Sequence, residues 1–103
     1  MTTEPVLEIG GTASGTAGAT AKITFTPPAN YPGDFPRRMV AIASTGASSL
    51  YLKAVQKGAA APTVSSSDFH WAVPSGSTLH LRVGGSVDLY LFGTTTYSAV
   101  EMA

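Results

Sequence analysis

No stretch of this chain repeats its apolar residues at helical spacing. Apolar and polar residues alternate instead, in short runs broken by Gly, Pro, Ser and Thr. That is the pattern of strands with one face buried. In AKITFTP, Ile23 and Phe25 face one way while Lys22, Thr24 and Thr26 face the other. LYLKAV at 50–55 alternates again. RMVAIAS at 38–44 is apolar at nearly every position and reads as a central strand buried on both faces. SVDLYLFG at 86–93 is apolar on both sides, with Val87, Leu89 and Leu91 on one and Tyr90 and Phe92 on the other. VLEI at 6–9 is a short possible strand, and TTTYSAVEMA supplies a last one. The expectation is an all-β chain: a single β-sandwich or jelly-roll-like domain of about eight short antiparallel strands. No internal repeat interrupts it.

Residues 65–83, SSSDFHWAVPSGSTLHLRV, give the clearest hairpin signal. Phe69, Trp71 and Val73 share an apolar face that packs Trp71 into the core; Asp68, His70 and Ala72 share the other. After PSGS, Leu79, Leu81 and Val83 alternate with Thr78, His80 and Arg82. A loop of three or five residues would keep the two apolar faces together. A two-residue turn at Gly84-Gly85 would set Leu81 opposite Asp88 on the core face. A bulge or a crossing to a second sheet is therefore expected at Gly84–Ser86. Three stretches read as loops. IGGTASGTAGATA at 9–21 has neither charge nor aromatic ring and can bury little. PPANYPGDFP at 27–36 has four prolines and cannot join a ladder. QKGAAAPTVSSS at 56–67 is the third. The domain boundaries follow: a flexible arm over 1–20 and the sandwich over 21–103.

The 103 residues suit one domain. Cysteine is absent, which removes disulfides and thiolate metal sites. Six Lys+Arg balance six Asp+Glu, and charged residues are 12% of the chain, against about 25% in an ordinary soluble domain. A surface so weakly charged suits a protein largely covered by partners. The basic residues are scattered, so no electrostatic footprint for nucleic acid forms. No apolar run approaches a membrane span, and the N-terminus carries Glu4 and Glu8 where a secretion signal needs basic residues. Folding in a cytoplasm is the resulting expectation.

Chemistry is weakly signalled. Asp68, His70 and His80 on one outward hairpin face could make a two-His-one-carboxylate metal site, but plain alternation accounts for all three. Ser66, Asp68 and His70 crowd one strand without a nucleophile elbow. Neither Gly10-Gly11 nor Gly84-Gly85 leads into a helix as a phosphate loop would. The expectation is no enzyme, no cofactor and no metal. Tyr51 and Tyr90 each lie in a strand with two apolar faces. Three readings remain open for them: a sheet covered by a loop, a subunit interface, or a carbohydrate platform.

MVAIASTGASSLYL, VSSSDFHWAVPSGSTLHL and VDLYLFGTTTYSAVEM together resemble a pattern of small tailed-phage virion proteins. The matching positions are Ser44, Thr45, Gly46 and Tyr51, then Phe69, Val73, Gly76, Leu79 and Leu81, then Asp88, Leu89 and Tyr90, and last Glu101. The resemblance covers residues 38–102 and leaves 1–37 outside it. It implies a capsid decoration (cement) protein on the outside of a virion, commonly a homotrimer, with the major capsid protein as partner. A tail or neck component, or a small carbohydrate-binding sandwich, is the alternative. The candidate interface residues are Val6, Leu7 and Ile9 in the arm, Tyr31 and Phe35 among the prolines, and Tyr51 and Tyr90.

Overall fold

The computed structural model describes residues 9–26 and 36–103. They form eight strands and no helix: β1 (Ile9–Thr16), β2 (Ala21–Lys22), β3 (Met39–Ser44), β4 (Leu50–Gln56), β5 (Trp71–Val73), β6 (Thr78–Leu81), β7 (Val87–Gly93) and β8 (Thr96–Met102). Two antiparallel four-stranded sheets result, β1-β8-β3-β6 (sheet A) and β2-β7-β4-β5 (sheet B). The first strand pairs with the last, the second with the next to last, and so on inward to β4 with β5. This is one long hairpin folded over and wrapped, and β3·β8 and β4·β7 pairing seals the wrap. It is the topology of a jelly roll.

Alternation decides which side chains enter the core. In β3 every second residue is buried: Val40, Ile42 and Ser44 point inward. Leu81 and Ala99 join them from sheet A, and Leu50, Leu52, Val73, Leu89 and Leu91 meet them from sheet B. Burying such aliphatic side chains contributes about 1.5–3 kcal/mol each. Ile23 is buried and Phe25 packs beside it, while Lys22, Thr24 and Thr26 are exposed, as their parity predicts.

Several expectations are corrected. Residues 65–83 are not a hairpin: β5 pairs with β4 in sheet B, and β6 pairs with β3 in sheet A. Pro74–Ser77 is a tight turn, with the Ser77 N–H on the Pro74 carbonyl (3.0 Å) and Gly76 at φ 74°. A positive φ at the third turn position makes it a type II turn. It carries the chain from one sheet to the other. The same is true elsewhere, since six of the seven connections change sheet and only β4–β5 stays in one. The crossing expected at Gly84–Ser86 is one of them.

The stretch 9–21, expected as a loop, is largely strand. Ile9–Thr16 pairs with β8, with a bulge between Ile9 and Thr12 at Gly10-Gly11. Its outer edge is covered in part where Thr12 and Thr26 exchange backbone hydrogen bonds (3.0 and 2.7 Å), which protects an exposed ladder. The β3 strand is buried on one face only; Met39, Ala41 and Ala43 on the other are half-buried. Most of the expected strand 6–9 and of the proline-rich loop 27–36 lies outside the described residues.

Candidate interaction surfaces

Two outer faces and a set of inter-sheet turns carry what the core does not use. The turns are held by hydroxyls. Ser44 donates to the Ser48 carbonyl (2.7 Å) and lies 3.4 Å from the Thr95 hydroxyl, which is buried. The Ser75 hydroxyl donates to the Gly46 carbonyl (2.7 Å). A Cβ at Gly46 would stand 2.3 Å from Thr95 Oγ1 and 3.1 Å from the Thr96 amide nitrogen. The close approach of these two turns is therefore possible only with glycine at 46.

At the opposite crossing, Arg37 is buried. Its Nε donates to the Val83 carbonyl (3.2 Å), and Nη2 donates to the carbonyls of Gly84 and Val87. Nη1 meets Glu101 Oε2 at 3.3 Å, with the two side chains only 6% and 14% exposed. The guanidinium lies 5.7 Å from the centre of the Phe25 ring. One side chain thus satisfies the carbonyls of the β6–β7 crossing and neutralises a carboxylate on the core face of β8. Sequence reasoning missed this pair. A signal existed: Glu101 shares its parity with the buried Ala99, and a charge at an inward position calls for a partner.

The outer face of sheet B is partly roofed by residues 64–69. The Thr20 hydroxyl accepts from the Val64 N–H and donates to the Val64 carbonyl, both at 3.0 Å. Ser65 and Asp68 form a two-way bridge, and Asp68 meets Lys53 Nζ at 2.8 Å. Val64 is 2% exposed, yet it lies outside the sandwich core cluster. Thr20 adjoins β2, and Lys53 on β4 pairs with Tyr90 on β7. The run from Val64 to Asp68 therefore crosses β7 near Tyr90, and Tyr90 is buried at 9% exposure. Of the three readings of this tyrosine, the covering loop fits, and Tyr90 offers no surface to a partner in this conformation.

Tyr51 remains half-buried on the same face. Its ring centre is 5.0 Å from Phe69 and 6.4 Å from Phe92, at tilts of 46° and 40°. This corrects the parity expected for Phe69. It precedes β5 and stacks outward on Tyr51, whereas Trp71 packs inward opposite Leu52. Beside these rings lies an open cleft of about 500 Å³, bordered by the turns at 47–49 and 93–94, Ser75 and the loop residue Ser66.

The metal site that Asp68, His70 and His80 could make on one shared hairpin face loses its geometry. His70 adjoins β5 in sheet B and His80 is in β6 of sheet A. His70 Nδ1 accepts the Ala54 N–H at 3.2 Å, which puts the ring proton of the neutral form on Nε2. It continues the ladder beyond the end of β5. Asp68 is engaged with Lys53, and among the described residues no side-chain hydrogen bond joins Ser66, Asp68 and His70. Among the described residues no three His, Asp or Glu gather within reach of one metal ion.

The outer face of sheet A differs in character. Cross-strand partners share a face, so Thr12, Ser14 and Thr16 of β1 lie beside Val100, Ser98 and Thr96 of β8. Ala41 and Ala43 of β3 lie between Val100 and Ser98 on one side and His80 and Thr78 of β6 on the other. No Lys, Arg, Asp or Glu occupies these positions. Ile9, one of the candidate interface residues, stands at the rim with 66% exposure. Val6, Leu7, Tyr31 and Phe35 lie outside the described residues. Comparison of the chain with protein-family models, curated proteins and solved structures returns no match.

Proposed function

We propose that the chain is a bacteriophage virion structural protein of the capsid decoration type. It docks on the assembled shell, with the major capsid protein as its partner, and works as a homotrimer. The observation that carries this reading is the outer face of sheet A. Four strands present mostly small side chains and no Lys, Arg, Asp or Glu at the paired positions there, with an apolar residue at the rim. Burying such a face costs little charge desolvation and little side-chain entropy. Support also comes from the resemblance of residues 38–102 to small tailed-phage virion proteins and from the jelly-roll topology, which viral capsid and lectin domains share. Topology alone fixes no function.

The mechanism needs no reacting group. A protein that binds only the assembled shell shifts the assembly equilibrium toward it. Many repeated contacts across subunit boundaries add avidity. On this reading Val6, Leu7 and Ile9 contribute to shell binding; deletion of residues 1–8 is expected to weaken it while leaving β1 in place.

The test is copy number per particle, measured by mass spectrometry against the major capsid protein in virions purified from the source. Hundreds of copies are expected. A dozen or fewer would move the protein to the neck or tail, and absence from particles would defeat the reading. A charge at the centre of the face, Ala41→Glu, is expected to abolish shell binding without loss of the fold. Unchanged shell binding by that variant would remove sheet A as the docking face.

A further inference from the structure

We propose that the cleft on the outer face of sheet B binds a neutral saccharide. The proposal is independent of the virion reading, because it concerns the opposite face of the sandwich. The floor is aromatic: Tyr51 and Phe92 line the cleft, and their rings are held at an angle 6.4 Å apart. Phe69 packs against Tyr51 and is 40% exposed. The Tyr51 ring is thus packed against two other aromatic rings before any ligand arrives.

The walls are hydroxyls. Ser48 and Ser49 come from the β3–β4 turn, Thr94 from the β7–β8 turn, and Ser66 from the loop over sheet B. None of these four side chains hydrogen-bonds to another described residue, whereas neighbouring Ser44, Ser75 and Thr95 are committed to the fold. They come from three separate parts of the chain and converge only in the tertiary structure. Among the described residues no charged side chain lines the cleft.

A pyranose ring carries an apolar face of C–H bonds and an equatorial belt of hydroxyls. An aromatic floor accepts the first, and free serine and threonine hydroxyls both donate to and accept from the second. Without a cation in the lining, an anionic ligand gains nothing there, and without a carboxylate a cationic one gains nothing either. The cleft volume of about 500 Å³ falls within the range of small-ligand sites. Its openness points to weak, multivalent use.

The experiment is a ¹H–¹⁵N NMR titration of the full chain. The probes are glucose, galactose, mannose and N-acetylglucosamine, with sialic acid as the anionic comparison. Saturable shifts are expected at the amides of Ser49, Tyr51, Ser66, Phe92 and Thr94, with a dissociation constant of about 0.1–5 mM for so open a site. Phe92→Ala, which removes part of the floor, is expected to weaken binding by about tenfold or more. Because that variant could disturb the sheet, Ser49→Ala serves as a second: it should weaken binding with an unchanged melting temperature. Absence of saturable shifts with all four neutral sugars at about 50 mM overturns the proposal, since even weak sites saturate there. Shifts confined to the outer face of sheet A, or tighter binding of sialic acid than of every neutral sugar, overturn it as well.

Discussion

Gly46 has its α-hydrogens against Thr95 and Thr96, and no side chain fits there. Gly46→Ala must push apart two turns that hydroxyl hydrogen bonds hold together. The expected cost is about 1–3 kcal/mol, as for overpacking elsewhere, read by chemical denaturation. Arg37 and Glu101 make a second prediction. Arg37→Ala leaves a carboxylate on a core-facing position and three carbonyls without their donor. The expected loss is about 3–5 kcal/mol, and Glu101→Gln should cost distinctly less because the Arg37 guanidinium, though it loses its counter-charge, keeps its three carbonyl acceptors. A Glu101→Gln loss equal to that of Arg37→Ala would show that the carbonyl contacts contribute nothing. Trp71 and His70 are adjacent yet opposite. Trp71→Ala should cost about 2–3 kcal/mol, under the full-burial range because the ring is only partly buried. The exposed His70, replaced by Ala, should cost about 1 kcal/mol or less, the worth of one edge hydrogen bond. Alternation made Trp71 legible; it misled on Phe69, which lies before the strand begins and obeys no pleat.

At the scale of elements, the loop over sheet B is held at few points. Thr20, Lys53 and the buried Val64 anchor it. Thr20→Val removes both hydrogen bonds to Val64 and is expected to speed limited proteolysis within 57–63 while the melting temperature changes little. Protection equal to that of the parent chain would show that the burial of Val64 and the Lys53–Asp68 pair suffice to hold the loop. In the sequence, Val64 is a single apolar residue in a run of Ala, Pro, Thr and Ser, too little to mark a buried anchor. The strand Ile9–Thr16 was equally hard to see. Its small residues carry no hydrophobic alternation, and it is a strand because β8 supplies a ladder for it to complete.

The wrapped hairpin has consequences for the whole molecule. β8 lies between β1 and β3, so the end of the chain is central to sheet A. Deleting residues 96–103 is expected to abolish folding, seen as loss of dispersed amide signals by NMR. Pairing first with last and crossing sheets at six connections makes the contacts non-local. Folding on the millisecond-to-second scale is expected from stopped-flow refolding, since loop closure must precede most of the stabilising contacts.

What the sequence determined by itself is the local geometry: the all-β class, most of the strands, and the inward or outward sense of their side chains. Period-two alternation and turn chemistry act over a few residues and need no partner to be read. Which strand lies beside which was decided only in three dimensions. Leu79 and Leu81 need an apolar face to cover them, and either sheet could have supplied it; the pairing with β3 rather than β5 follows from wrapping the whole chain. The cleft of Ser48, Ser49, Ser66, Thr94, Tyr51 and Phe92 was equally out of reach, because its parts meet only once six crossings have folded. Hydrophobic pattern encodes the face a residue turns to the core, whereas the identity of its neighbours is a property of the closed sandwich.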